Sequence, residues 1–119
     1  VSIEDTISQA LDPLVDQRVY RDNARFSTPR PYITFQQVGG EPIDYMAGAV
    51  PDLDNGRFQI NVWADDRDTA AAIGRAARAA LVGSTAMRAT TASGMVATWL
   101  DGTGLFGTRQ DFSIWFPPA

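Results

Sequence analysis

"RFQINVWADDRDTAAAIGRAARAALV", Arg57 to Val82, is the stretch on which the fold turns. Its first residues alternate: Phe58, Ile60, Val62 and Ala64 fall on one side, and Arg57, Gln59, Asn61 and Trp63 on the other. That is the period of a strand with one buried face. From Thr69 the period lengthens, placing Ala70, Ile73, Gly74, Ala77 and Leu81 on one side of a helix and Arg67, Ala71, Arg75 and Arg78 on the opposite side. Small residues on the first side let the helix lie close on a sheet. Between strand and helix stand Asp65, Asp66 and Asp68. A helix N-terminus exposes unpaired N–H groups and a partial positive charge, so capping accounts for these carboxylates without any ligand. A hard cation would need further oxygen ligands from elsewhere in the chain.

Working outward, Ile3, Ile7, Ala10, Leu11 and Leu14 form a helical stripe, with Ser2 as N-cap and Glu4 and Asp5 in the first turn. Pro13 marks the end of this helix or the first turn of a short continuation. "QRVYRD" is short and β-prone, and "NARFSTPRP" reads as a loop. "YITFQQV", Tyr32 to Val38, is a strand closed by Gly39-Gly40. The segment Glu41 to Gly56 is an irregular excursion with an Asn-Gly turn at its end, and its "IDYMA" could pair as a strand. The segment from Ala86 reads as a long hairpin turning at Asp101–Gly104; Phe112, Ile114 and Phe116 alternate with Ser113 and Trp115 before Pro117-Pro118 stops the last strand. The expected architecture is a single α+β domain over 1–119: two helices on a mostly antiparallel sheet of about four strands, with a C-terminal β-hairpin.

Composition narrows the chemistry. The 119 residues are 45% hydrophobic and 20% charged, the profile of a folded chain. No apolar run approaches the roughly 20 residues that span a bilayer, and the acidic, amphipathic N-terminus is unlike an export signal, so a soluble protein with no membrane role is expected. The absence of histidine and cysteine excludes histidine-based triads, thiolate chemistry and the usual zinc sites. All ten basic residues are arginine, which excludes lysine Schiff bases. A net charge of −4 opposes tight binding to nucleic-acid backbones.

Two motifs mimic sites. Gly102, Gly104 and Gly107 spell G-x-G-x-x-G, but a strand follows them where a dinucleotide fold needs a helix. "DLDNG", Asp52 to Gly56, resembles a calcium loop, yet the glycine comes a place early and the closing acid would fall on Trp63. No residue is assigned a catalytic, cofactor-binding or metal-ligating role. The aromatics are more informative: Trp63 and Trp115 lie on strand faces opposite the stronger apolar face, where exposed rings would mark contact surfaces. Tyr45 and Met46 in the excursion, and Leu105 and Phe106 at the hairpin tip, complete the candidate interaction set.

The acidic first helix, "RVY", "PYITFQQVGG", "RFQINVWADDRDTAAAIGRAARAAL" and "DGTGLFGTRQDFSIWF" occur in an order that resembles the small tail-completion proteins of tailed bacteriophages, found also in prophages and gene transfer agents. The resemblance covers most of the chain and is strongest over Gln59–Leu81 and Thr103–Trp115. It implies a virion structural protein, made in the host cytoplasm, that assembles as a hexameric ring on the head-proximal end of the tail tube. The ring would terminate tube growth or join tail to head as a neck connector. Implied partners are further copies of the chain, the major tail tube protein and a neck or head-completion protein, with DNA passing through. Excursion 41–56 departs from the usual pattern in its length and its prolines. A small ligand-binding domain or enzyme using carboxylates and arginines is the alternative, and would be marked by acids converging in a pocket.

Overall fold

A computed structural model of the chain describes residues 2–25, 27–40, 53–100 and 102–117. Its elements are α1 (Ile3–Leu11), a 3-10 turn (Asp12–Leu14), β1 (Val19–Arg21), β2 (Tyr32–Gly39), β3 (Asp54–Ala64), α2 (Arg67–Val82), β4 (Arg88–Thr91), β5 (Val96–Leu100) and β6 (Leu105–Phe116). The α+β class stands as expected, but the sheet has six strands rather than about four. The additional strands are short edge pieces. β1 pairs in parallel with β2, and β4 and β5 lie one after the other along the outer side of β6. β1 and β4, with three and four residues, are the two beyond the expected count, whereas β5 is the first arm of the expected C-terminal hairpin.

The spine is the antiparallel pair β3–β6, eleven residues in unbroken register from Asp54↔Phe116 to Ala64↔Phe106. Phe58, Ile60 and Val62 of β3, Ile33 and Phe35 of β2, and Phe112 and Ile114 of β6 point to one face and are buried. Both helices cover that face, α1 toward β1 and α2 across β3, β6 and β4. Ile7 and Leu11 from α1 and Ala77 and Leu81 from α2 close the core. Each fully buried phenylalanine contributes about 1.5–3 kcal/mol of transfer free energy.

The aspartate junction behaves as a cap. The side chain of Asp66 accepts hydrogen bonds from the Thr69 backbone N–H at 2.7 Å and from its hydroxyl at 3.0 Å. These bonds, with the backbone bond first, hold its carboxyl below the usual carboxylate range. At the first helix Ser2 and Asp5 form a reciprocal capping box. The chain after Leu11 continues as the 3-10 turn containing Pro13.

Two local expectations are corrected. Asn55-Gly56 is not a turn: both residues lie within β3, opposite Trp115 and Ile114. A side chain at Gly56 would sit 2.5 Å from the Phe58 ring and 3.2 Å from Phe116, so glycine makes room for the edge-to-face pair those rings form. Arg67 does not face solvent with Arg75 and Arg78. Its guanidinium donates to the carbonyl oxygens of Gly107 and Thr98 and stays half-buried.

Candidate assembly surfaces

Across the sheet from the helices lies a face that no helix covers. Residues alternate onto it from Tyr20, Tyr32, Thr34, Gln59, Asn61, Trp63, Arg109 and Asp111. Tyr20 and Tyr32 meet edge to face at 6.4 Å. Trp63, opposite Tyr32 and Gly107, lies half-buried against Gly107, where an added Cβ would approach its ring to 2.9 Å. Burial pushes the Tyr32 phenol up from its ordinary pKa. Tyr32 and Trp63 line a groove of about 360 Å³ with Asp22, Asn23, Asn61 and Leu105. At the far end of the same face Arg57 pairs with Asp111 at 2.8 Å, and Asn55 donates to the Ser113 hydroxyl beside half-buried Trp115. Trp63 and Trp115 thus sit on the face that sequence assigned them, each half-buried.

A second surface forms at the tip of β5 and β6. Glycines 102 and 104 adopt positive φ, +74° and +68°, which turns the chain between the two strands. Past the start of α2 the helix-facing side of the hairpin is uncovered, and there Trp99 stands directly opposite Phe106. Trp99 is 64% exposed and Phe106 37%; Met95 and Val96 on the same edge are also exposed. Two arginines brace this tip. Arg67 lies 5.6 Å over the Phe106 ring while bonding the backbone of both strands. Arg30, just before β2, donates to the carbonyls of Thr103 and Gly104 and pairs with Asp65 at 3.0 Å. The exposed rings are therefore carried on a rigid mount, so little side-chain and loop entropy remains to be lost on docking.

Of the candidate interaction residues, Phe106 projects from the tip. Leu105 points to the opposite face and is nine-tenths buried against the groove. Tyr45 and Met46 lie outside the described residues. Trp99, the most exposed large apolar side chain described, has no place in the sequence-derived set. Its signal is present in the sequence: counting back from the Gly102–Gly104 turn puts Trp99 in phase with Phe106. Among the described residues no three acidic side chains gather as a metal-binding group, and no helix is long and apolar enough to cross a membrane.

The family model described as tail completion protein gp17 matches residues 7–116, almost the whole of the chain and every described strand of the sheet. The chain belongs to that family. Among curated proteins none matches it significantly. Membership in the tail completion family makes the protein a structural component of a phage tail.

Proposed function

We propose that this tail completion protein is a ring-forming subunit at the head-proximal end of a phage-type tail. The ring stops addition of tube subunits and offers its other side to a neck or head-completion protein. The observation that carries this reading is the braced aromatic tip. A tryptophan exposed to 64% on a rigid hairpin is costly to leave in water and is the kind of anchor that dominates protein interfaces. Further copies of the chain and the major tail tube protein are the partners it serves. The net charge of −4 suits a channel through which DNA slides without adhering. The groove on the open face is lined by rings, amides and one carboxylate, Asp22, a poor set for acid-base chemistry.

The test is deletion of the gene from its parent phage or prophage, followed by negative-stain electron microscopy of the induced particles. Full heads beside unattached tails of irregular length are expected for a terminator. Unattached tails of uniform length would assign the connector role instead, and normal infectious particles would overturn the reading. Trp99→Asp, which alters an exposed side chain and should leave the fold intact, is expected to reproduce the deletion phenotype.

A further inference from the structure

The two open edges of the sheet stand at the same height, and the chain segments that carry them differ in charge. β1 ends the sheet on one side, and β5 borders it on the other with no strand beyond it among the described residues. One row runs Tyr20, Thr34, Asn61, Arg109, Val96 across five of the six strands, so Tyr20 and Val96 mark corresponding points on opposite edges. β1 is parallel to β2 and hence to β6, whereas β5 is antiparallel to β6. Copies keeping the same up-down sense around a ring therefore bring β5 of one antiparallel to β1 of the next, the better hydrogen-bonding sense.

Charge agrees with geometry. Residues 2–23, which form α1 and β1, carry Glu4, Asp5, Asp12, Asp16 and Asp22 against Arg18 and Arg21. Both arginines are already paired, Arg21 with Asp5 at 2.5 Å and Arg18 with Asp16 at 3.5 Å. Residues 67–100, which form α2, β4 and β5, carry Arg67, Arg75, Arg78 and Arg88 against Asp68 alone. One flank is acidic and the other basic, with exposed Val96 and Trp99 on the basic side. Unlike flanks of this kind repel when like meets like and attract when the copies follow head to tail. A head-to-tail contact is heterologous and closes into a ring when its rotation permits.

We propose that the β5 edge of one copy docks on the β1 edge of the next, so that a second copy of this chain is the occupant of the Val96–Trp99 surface. This names the joint of the proposed ring and rests on that assembly. The chain has no cysteine, so introduced thiols report without background. Within one molecule Tyr20 and Val96 are four strand spacings apart, about 19 Å. A disulfide needs Cβ atoms about 4 Å apart, so the pair can bridge only between copies.

The experiment introduces Tyr20→Cys with Val96→Cys into the parent phage, oxidises purified particles and resolves them on a non-reducing gel. Tyr20→Cys with Thr98→Cys covers a shift of two residues on the same face, and Tyr20→Cys with Thr90→Cys, at the other end of the sheet, is the control. The expected result is a ladder of covalent multimers ending at the ring number from one of the first two pairs, and none from the control. Particles that retain the protein but give no ladder from either pair would overturn the β5–β1 joint while leaving the tail role standing. Absence of the unmodified protein from wild-type particles would overturn both.

Discussion

At Gly107 the backbone leaves no room for a side chain. An added Cβ would lie 2.7 Å from the Val62 carbonyl oxygen, 2.7 Å from the Thr98 hydroxyl and 2.9 Å from the Trp63 ring. A backbone carbonyl in the central strand pair cannot step aside, so Gly107→Ala should cost about 3 kcal/mol in urea denaturation. Gly74→Ala is expected to cost less, about 1–2 kcal/mol. Its Cβ would meet Thr108 Oγ1 at 2.7 Å and the movable Met95 sulfur at 2.9 Å, and alanine's helix propensity returns about 1 kcal/mol. The two glycines look alike in sequence; only the atoms around them set their order. Asp66 supplies a prediction in pH. Its native pKa lies below the unfolded value of about 3.9, so its contribution is full above that value and is lost as pH falls through the native pKa. Asp66→Asn, which retains a cap acceptor, should flatten the acid limb of the stability profile between these two values, as read by thermal melts at stepped pH.

Among the elements, α2 and the tip of β5 and β6 are joined chiefly through Arg67. Replacing it with methionine keeps the apolar stem but removes the bonds to Thr98 and Gly107 and the charge over Phe106. Arg67→Met should cost about 2 kcal/mol and speed amide exchange across residues 98–107, measured by hydrogen–deuterium exchange. This strut also shows where sequence stops being sufficient. β2, β3 and α2 were legible because each is long enough for its period to repeat, and because Asp66 and Gly39 punctuate their ends. Of the short strands, β1 showed only as the β-prone "QRVYRD" and β4 not at all, having three and four residues and owing their strand geometry to the neighbours they border. Arg67 falls on the solvent side of an ideal helix wheel, yet at the first turn it reaches past the end of the helix to carbonyls 31 and 40 residues away. Trp99 was overlooked for a related reason: its exposure follows from α2 beginning where it does, leaving the tip uncovered. The phase of Trp99 with Phe106 can be counted from the turn, but its exposure, like the reach of Arg67, belongs to a pair of elements.

For the whole molecule, the acidic α1–β1 flank and the basic α2–β5 flank make association dependent on salt. Raising sodium chloride from 50 to 500 mM shortens the screening length from roughly 14 to 4 Å. Self-association, followed by sedimentation velocity at high protein concentration, should weaken across that range while urea midpoints move little. Purified protein should likewise release DNA at moderate salt, as tested by gel shift, because its overall charge is negative. The outer border of β6 carries a further consequence. Between Thr91↔Phe112 and Val96↔Arg109 the β4–β5 side advances five residues while β6 advances three, and the Ala92 and Ser93 N–H groups both turn back to the Asp111 carbonyl. Two surplus residues preserve which side chains face which way, so the interruption does not serve the core. What it does is break a long border into two short pieces, only one of which is level with β1. Deleting Ser93 and Gly94 would straighten that border into one continuous template, and light scattering should then show open-ended fibrous growth. In the proposed ring the small irregularity at 92–95 would act as a governor, separating a chain that adds a countable number of neighbours from one that never stops adding them.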